Sequence, residues 1–238
     1  MQNKRILAVI PARGGSKGVP NKNIVNINGR PLISYTINAA LKSKMFTHCV
    51  VSTDSEEISE VAKSYGALTP FKRPEALSND TALSLPVIQH AVEFMEQKYK
   101  IEYDAVVMLQ PTTPLRSVED INTALDLLFA TCADSVISVV SVEGHHPLRM
   151  KRIVDGRLIN YIDQGKEDMR PRQELPPVYI RNGAIYATMR DILMDKDSFV
   201  GADSRAYIMP SERSVNIDTH QDLLLVHSYF EAEYSVKA

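Results

Sequence analysis

Over about the first 140 residues the apolar positions switch repeatedly between two periods. Short β-branched runs at 5–10, 48–52, 67–71, 105–109 and 135–142 read as strands. Segments at 31–42, 55–65, 83–99 and 117–130 carry apolar residues three and four apart, the spacing of one helix face. Strands separated by helices predict an α/β fold, a mostly parallel sheet with helices on both faces, because a parallel neighbour is reached only by a crossover. Two helix starts are marked chemically. Asp54 has Glu57 three residues on and Ser117 has Asp120, so a side-chain oxygen is at hand for the orphan amides of each first turn. Beyond residue 142 the texture changes. Residues 151–159 read as two short strands about an Asp155-Gly156 turn, and a polar, proline-bearing stretch covers 163–177. Strand, helix and strand patterns return at 178–188, 189–195 and 205–209, before a last helix opened by Thr219 with Asp222. The middle stretch fits either an insertion projecting from the α/β body or an irregular part of the same core.

With 238 residues, 44% apolar and 24% charged, the chain suits one domain with a real core and is not a disordered protein. Lys and Arg number 27 against 29 Asp and Glu, a net charge of −2, so no global positive field holds nucleic acid or an anionic membrane. An anion site has to be local. Cys49 and Cys132 lie far apart with no CxxC or Cys/His cluster, which argues against a disulfide framework or structural zinc and points to a reducing cytoplasm. The first apolar run is too short for a membrane span and leads into a Pro/Gly loop, so it reads as a strand and not an export signal.

Ligands of open α/β sheets sit at the carboxyl ends of strands. The loop leaving the first run, from Pro11 to Asn23, concentrates Gly14, Gly15 and Gly18, whose backbone amides can turn toward one anion, with Arg13, Lys17 and Lys22, which neutralise several phosphate charges. A triphosphate is a plausible guest. The spacing matches neither GxxxxGK[ST] nor GxGxxG, which sets ATPases and dinucleotide dehydrogenases aside. The plain alternative is a solvated glycine turn.

From Ile10 through Ile24 this loop resembles the signature of the cytidylyltransferases that make CMP-activated acidic sugars, the CMP-sialic acid (N-acylneuraminate, nonulosonate) synthetases. The likeness continues through Asn28-Gly-Arg-Pro-Leu32, Val51-Ser-Thr-Asp54, Arg73-Pro74, Leu109-Gln-Pro-Thr-Thr-Pro-Leu-Arg116, His145-His146-Pro147, Asn182-Gly-Ala-Ile-Tyr186 and Ile217-Asp218-Thr219, nearly the whole chain. The resemblance implies a Rossmann-like nucleotidyltransferase fold and transfer of CMP from CTP to the anomeric hydroxyl of a nonulosonic acid, a nine-carbon acidic 2-keto sugar of neuraminic or legionaminic type, with release of pyrophosphate. Enzymes acting on Kdo or pseudaminic acid, and a non-catalytic CTP-binding regulator, are the alternatives. By the same resemblance Arg13, Ser16 and Lys22 contact the triphosphate, Asn23 lies near the ribose, and Arg73, Ala82 and Ser84 fit the cytosine. Lys22, Arg13, Gln110 and Asp218 carry catalysis, and Gln110, Arg149, Arg172, Tyr186 and Phe199 meet the acceptor sugar. Plainer readings stand beside these: Ser84 as a helix cap, Arg116 as a residue that positions its loop, Tyr186 as core.

Residues 215–219 raise the question of a metal. Alternation places Asn216 and Asp218 on one face of a strand entering the last helix, within reach of one cation. The family usually carries aspartate at both places. An amide oxygen at Asn216 still binds Mg²⁺ but brings no negative charge, so Asp218 is the principal ligand, with helix capping as its plain alternative. The family's insertion forms a dimer arm that reaches the partner's active site, which implies a homodimer, with residues 143–177 as the arm and His145, His146 and Arg149 serving the neighbouring subunit. The whole chain, 1–238, then reads as a single cytidylyltransferase domain using CTP, Mg²⁺ and an acidic sugar.

Overall fold

A computed structural model describes residues 4–15, 18–142, 144–163, 165 and 169–237, with side chains through residue 231. The chain runs β1 (Ile6–Pro11), a ribbon of β2 (Asn26–Ile27) and β3 (Arg30–Pro31), α1 (Leu32–Ser43), β4 (His48–Ser52), α2 (Glu56–Ser64), α3 (Ser84–Tyr99), β5 (Ala105–Met108) and α4 (Val118–Ala130). It continues through β6 (Ser135–Ser141), a hairpin of β7 (Lys151–Val154) and β8 (Arg157–Asn160), β9 (Tyr179–Met189), α5 (Arg190–Met194), β10 (Ser204–Ile208) and α6 (His220–Lys237).

Six strands form the main sheet in the order β10-β6-β9-β5-β1-β4. β1 is parallel to β4 and β5, and β10 to β6, whereas β9 runs antiparallel between β5 and β6. The reversal follows from the connection: β6 returns to its neighbour β9 without a crossover helix, which only an antiparallel strand permits. The sheet is buried on both faces. Along β1, Ile6, Ala8 and Ile10 pack with Ile33 and Ile37 of α1 and Ile121 and Leu125 of α4. The alternate residues Leu7 and Val9 pack with Ile88, Val92 and Met95 of α3. The expected α/β architecture with helices on both faces is therefore the one observed.

Three local expectations are corrected. The run 67–71 is no strand: only Leu68 bridges to Val50, and Pro70, which has no amide hydrogen, ends the pairing. The cap of α2 is Ser55, whose Oγ accepts from Ile58 N–H at 3.4 Å, because Asp54 is engaged elsewhere. Residues 215–218 lie outside the sheet, with Ile217 N–H donating to Thr112 O at 2.8 Å instead of to a ladder. The capping box at Ser117 and Asp120 forms as expected. So does its counterpart at Thr219, where Asp222 Oδ2 accepts from Thr219 N–H at 2.7 Å and Thr219 Oγ1 accepts from Asp222 N–H at 3.3 Å.

The β7–β8 hairpin is a separate two-stranded sheet. Asp155 and Gly156 take φ of 51° and 74°, both left-handed, which is what a two-residue turn of primed type demands.

Candidate active site

Pro11 ends β1 and Gln110 follows β5, so two adjacent strands open at their carboxyl ends onto one cavity of about 460 Å³, which Arg73, bonded to the end of β4, also lines. The loop after β1 is held there by its neighbours. Ala12 N–H donates to Ser52 O at 2.9 Å and Gly14 N–H to Asp54 Oδ1 at 2.9 Å, while the buried Asn23 donates from Nδ2 to Arg13 O at 2.9 Å. Gly18 is needed for a closer reason: a Cβ there would lie 2.4 Å from the backbone oxygen of Asp218. Backbone thus meets backbone where the first loop touches the segment before α6.

That segment is anchored from behind. Ile217 is fully buried with Ile27, Leu32 and Val226, so α1 and α6 fix the residue on which Asp218 follows. Lys22 Nζ donates to Ile217 O at 2.7 Å and to Asp218 Oδ1 at 3.0 Å. Asn216 Nδ2 donates to Asp218 Oδ2 at 2.5 Å, and Asn216 Oδ1 is buried with no hydrogen-bond partner among the described residues. An unsatisfied buried amide oxygen beside a carboxylate is an unfilled acceptor position. The expectation that Asn216 and Asp218 share one side is met, without the strand that was to place them there.

The opposite wall carries Arg73, Ala82 and Ser84. Arg73 is 5% exposed, donates from Nε to Ser52 Oγ at 3.0 Å and from Nη2 to Ser52 O, and so ties this wall to the end of β4. Burial lowers its pKa to about 10, with nearby Asp54 opposing the shift and Arg13 adding to it. The guanidinium remains charged at neutral pH. Ser84 is the first residue of α3, and its Leu83 N-cap has no side-chain cap bond. The capping role weighed for Ser84 is therefore absent, and the residue lines the cavity.

Gln110 closes the far side. Its Oε1 lies against Gly183, where a Cβ would approach to 2.6 Å, and Gly183 has φ +78°, so both space and backbone call for glycine. Beneath it Arg116 is 3% exposed and donates to Ala184 O at 2.7 Å, Thr36 Oγ1 at 2.7 Å and Gln110 O at 3.4 Å. Burial lowers its pKa to about 10, and its hydrogen bonds make it a structural brace of the loop.

Of the residues singled out from the sequence, Arg13, Lys22, Asn23, Arg73 and Gln110 line this cavity, as do Ala82, Ser84, Asn216 and Asp218. Ser16 and Lys17 lie outside the described residues. Four acceptor candidates are elsewhere. Tyr186 packs in the core against Phe199, ring centroids 5.8 Å apart, and burial raises its pKa. Arg149 and Arg172 are exposed at the base of the hairpin, with Arg149 Nη2 donating to Arg170 O at 2.9 Å. His146 is buried: Nδ1 accepts from Leu148 N–H at 3.2 Å and Nε2 meets Pro176 O at 3.0 Å, which pins the two ends of the arm together. Several cavity residues carry no sequence-based role: Asp80 and Thr112, and also Leu77, Asn79 and Val87. Asp80 had a signal, being the one carboxylate in the polar segment 78–84.

A family model described as cytidylyltransferase matches residues 7–200. The chain belongs to the cytidylyltransferase family. It is 36% identical to a pseudaminic acid cytidylyltransferase of Campylobacter jejuni over 91% of this chain and 92% of that protein. It is equally, at 36%, identical to a CMP-N,N'-diacetyllegionaminic acid synthase of Legionella pneumophila over 95% of this chain and 97% of that one. Among solved structures, a CMP-2-keto-3-deoxy-manno-octonic acid synthetase complexed with CTP superposes with a TM-score of 0.69 at 21% identity, covering 97% of this chain and all of that one (100%). At that identity the likeness is one of fold. As a cytidylyltransferase, the chain places its basic first loop where the strands of the shared sheet end.

Proposed function

We propose that this cytidylyltransferase is a CMP-nonulosonate synthetase, transferring CMP from CTP to the anomeric hydroxyl of a nine-carbon acidic 2-keto sugar. The observation that carries the reading is the joining of three things around one cavity: the cations Arg13 and Lys22, the oxygen pair Asn216 and Asp218, and the Arg73, Ala82 and Ser84 wall. Relatives named for pseudaminic and for legionaminic acid stand at the same 36%, so the class of acceptor is better supported than any one sugar.

In this reading the sugar oxygen attacks the α-phosphorus, the bond from that phosphorus to the bridging oxygen breaks, pyrophosphate leaves with the electron pair, and the hydroxyl proton is released. Charge gathers on phosphate oxygens, so the protein's work is positioning and electrostatic stabilisation. Lys22 and Arg13 supply fixed positive charge on one side. The small residues Ala82 and Ser84 let the cytosine approach backbone, beside Arg73, and Asn23 keeps the loop in shape under the ribose. Gln110 faces the acceptor, with the exposed Arg149 and Arg172 as further sugar contacts in the assembled enzyme, whereas Tyr186 and Phe199 pack together in and against the core and do not reach the cavity.

The residues present fit Mg²⁺: Asp218 offers a carboxylate and Asn216 a buried oxygen lacking a partner, both of the hard-oxygen type that Mg²⁺ takes. When bound, the ion supplies positive charge to the phosphate oxygens. A homodimer completes the acceptor site through the arm at 143–177, whose Ile153 is 76% exposed and Leu158 70% exposed. No described helix is long and apolar enough to cross a membrane, and the reading places the enzyme in the cytoplasm.

The test is pyrophosphate release on mixing the protein with Mg²⁺, each of the four common nucleoside triphosphates, and a panel of neuraminic, legionaminic, pseudaminic and Kdo acceptors. Release with CTP and a nine-carbon sugar supports the reading. Release only with Kdo, or none with any pair, overturns it.

A further inference from the structure

The cavity has two facing walls, each braced from within. On one, the Arg13 carbonyl is held by Asn23 and the following amide by Asp54, both at 2.9 Å. On the other, Ser78 Oγ donates to Pro74 O at 2.9 Å, Asn79 Oδ1 accepts from Thr81 N–H at 3.0 Å and from Thr81 Oγ1 at 2.9 Å, and Ala82 N–H donates to Asn79 O at 3.3 Å. Asp80 projects from this second wall, and its Oδ1 accepts from Arg13 Nη1 at 2.7 Å.

An ion pair whose side chains are 31% and 45% exposed contributes little to folding. Its consequence is geometric. A guanidinium is a rigid plane with five donors, so engaging one nitrogen restricts its swing and leaves the other donors available to a ligand. A carboxylate beside a triphosphate also repels it, which offsets what the orientation of Arg13 adds to ground-state affinity.

We propose that Asp80 is a positioning residue for the transfer step, aiming Arg13 across the cleft at the triphosphate. The inference rests on the reading of Arg13 as a phosphate ligand. Removing Asp80 adds one unit of positive charge to the site while releasing the guanidinium, so turnover falls while CTP affinity holds or rises. A residue that only maintained the fold would move neither quantity in that pattern.

Three measurements on Asp80→Ala and Asp80→Asn test this: steady-state pyrophosphate release, calorimetric CTP binding without acceptor, and ¹⁵N relaxation at Arg13 Nε. Asp80→Ala is expected to lose at least tenfold in kcat, bind CTP within threefold of wild type or tighter, and show a mobile Arg13 Nε. Asp80→Asn, whose amide oxygen accepts the same bond, recovers part of kcat. In an Arg13→Ala background Asp80→Ala costs less than a further twofold. Turnover of Asp80→Ala within twofold of wild type, or an equal loss without Arg13, overturns the assignment. If wild type releases no pyrophosphate, the functional reading fails, and the relaxation data decide the positioning claim alone: an Arg13 Nε as ordered in Asp80→Ala as in wild type ends it.

Discussion

Lys22 and Asp218 share a 3.0 Å ion pair in which the lysine is mostly covered, 15% exposed, and the carboxylate is open at 65%. This fits a cation held in place by protein and an anion offered outward. If Lys22 stabilises charge during transfer, Lys22→Ala loses more than about 2 kcal/mol of transition-state stabilisation, roughly 30-fold in kcat/KM, as measured by pyrophosphate release. Near-normal turnover would remove Lys22 from the reaction. Metal affinity separates the neighbouring pair. Asp218→Asn deletes the only formal charge of the two and is expected to abolish measurable Mn²⁺ binding, with Mn²⁺ serving as a paramagnetic probe. Asn216→Asp adds a charge and tightens binding. Equal affinities in wild type and Asp218→Asn would refute the metal assignment.

At the scale of elements, the N-terminus of α4 does more than start a helix. Asp120 is fully buried and accepts from Ser117, from Tyr207 Oη at 2.9 Å and from Arg213 Nη2 at 2.8 Å, which joins α4 to β10 and to the segment leading to Asp218. Burial alone would raise its pKa, but the Arg213, Ser117 and Tyr207 hydrogen bonds outweigh it and hold the carboxyl below its ordinary value. A depressed carboxylate contributes stability that is present above the unfolded pKa of about 4 and is lost as pH falls through the folded value. Asp120→Asn is expected to cost about 1–3 kcal/mol at neutral pH and to flatten the decline of stability below about pH 4. Chemical denaturation across pH reads both. An unchanged acid limb would mean that other carboxylates carry it.

For the whole molecule, assembly centres on the hairpin. Ile153 and Leu158, paired across β7 and β8 and exposed at 76% and 70%, form an apolar pair on one face of the hairpin. A dimer that buries it is expected to fall to monomers on Ile153→Ser with Leu158→Ser, as followed by sedimentation under assay conditions. CTP binding should survive, since the lining of its cavity comes from residues 11–112 and 216–218. Acceptor turnover should not. A fully active wild-type monomer would sink the shared-site idea.

The order of elements and the gathering of cations and glycines in the first loop were legible in the sequence because both are local. Period-two and period-3.6 patterns mark buried faces, Ser117 and Thr219 carry their own caps, and an anion-binding turn needs its glycines and cations within a few residues. What only the tertiary structure decided were pairings between distant residues. Arg13 meets Asp80 across 67 positions and Lys22 meets Ile217 across 195, and no periodicity records either. The same holds for Asp54, which as a sequence reads as a helix cap and in the fold receives Gly14 instead. Residues 67–71 and 215–218 have strand-like composition, but a strand exists only where a neighbour offers a ladder, and there none does beyond the single bridge at Leu68. β9 turned antiparallel for the converse reason: the chain between β6 and β9 forms an arm and not a crossover helix, and the connection, more than the composition of the strand, sets its direction.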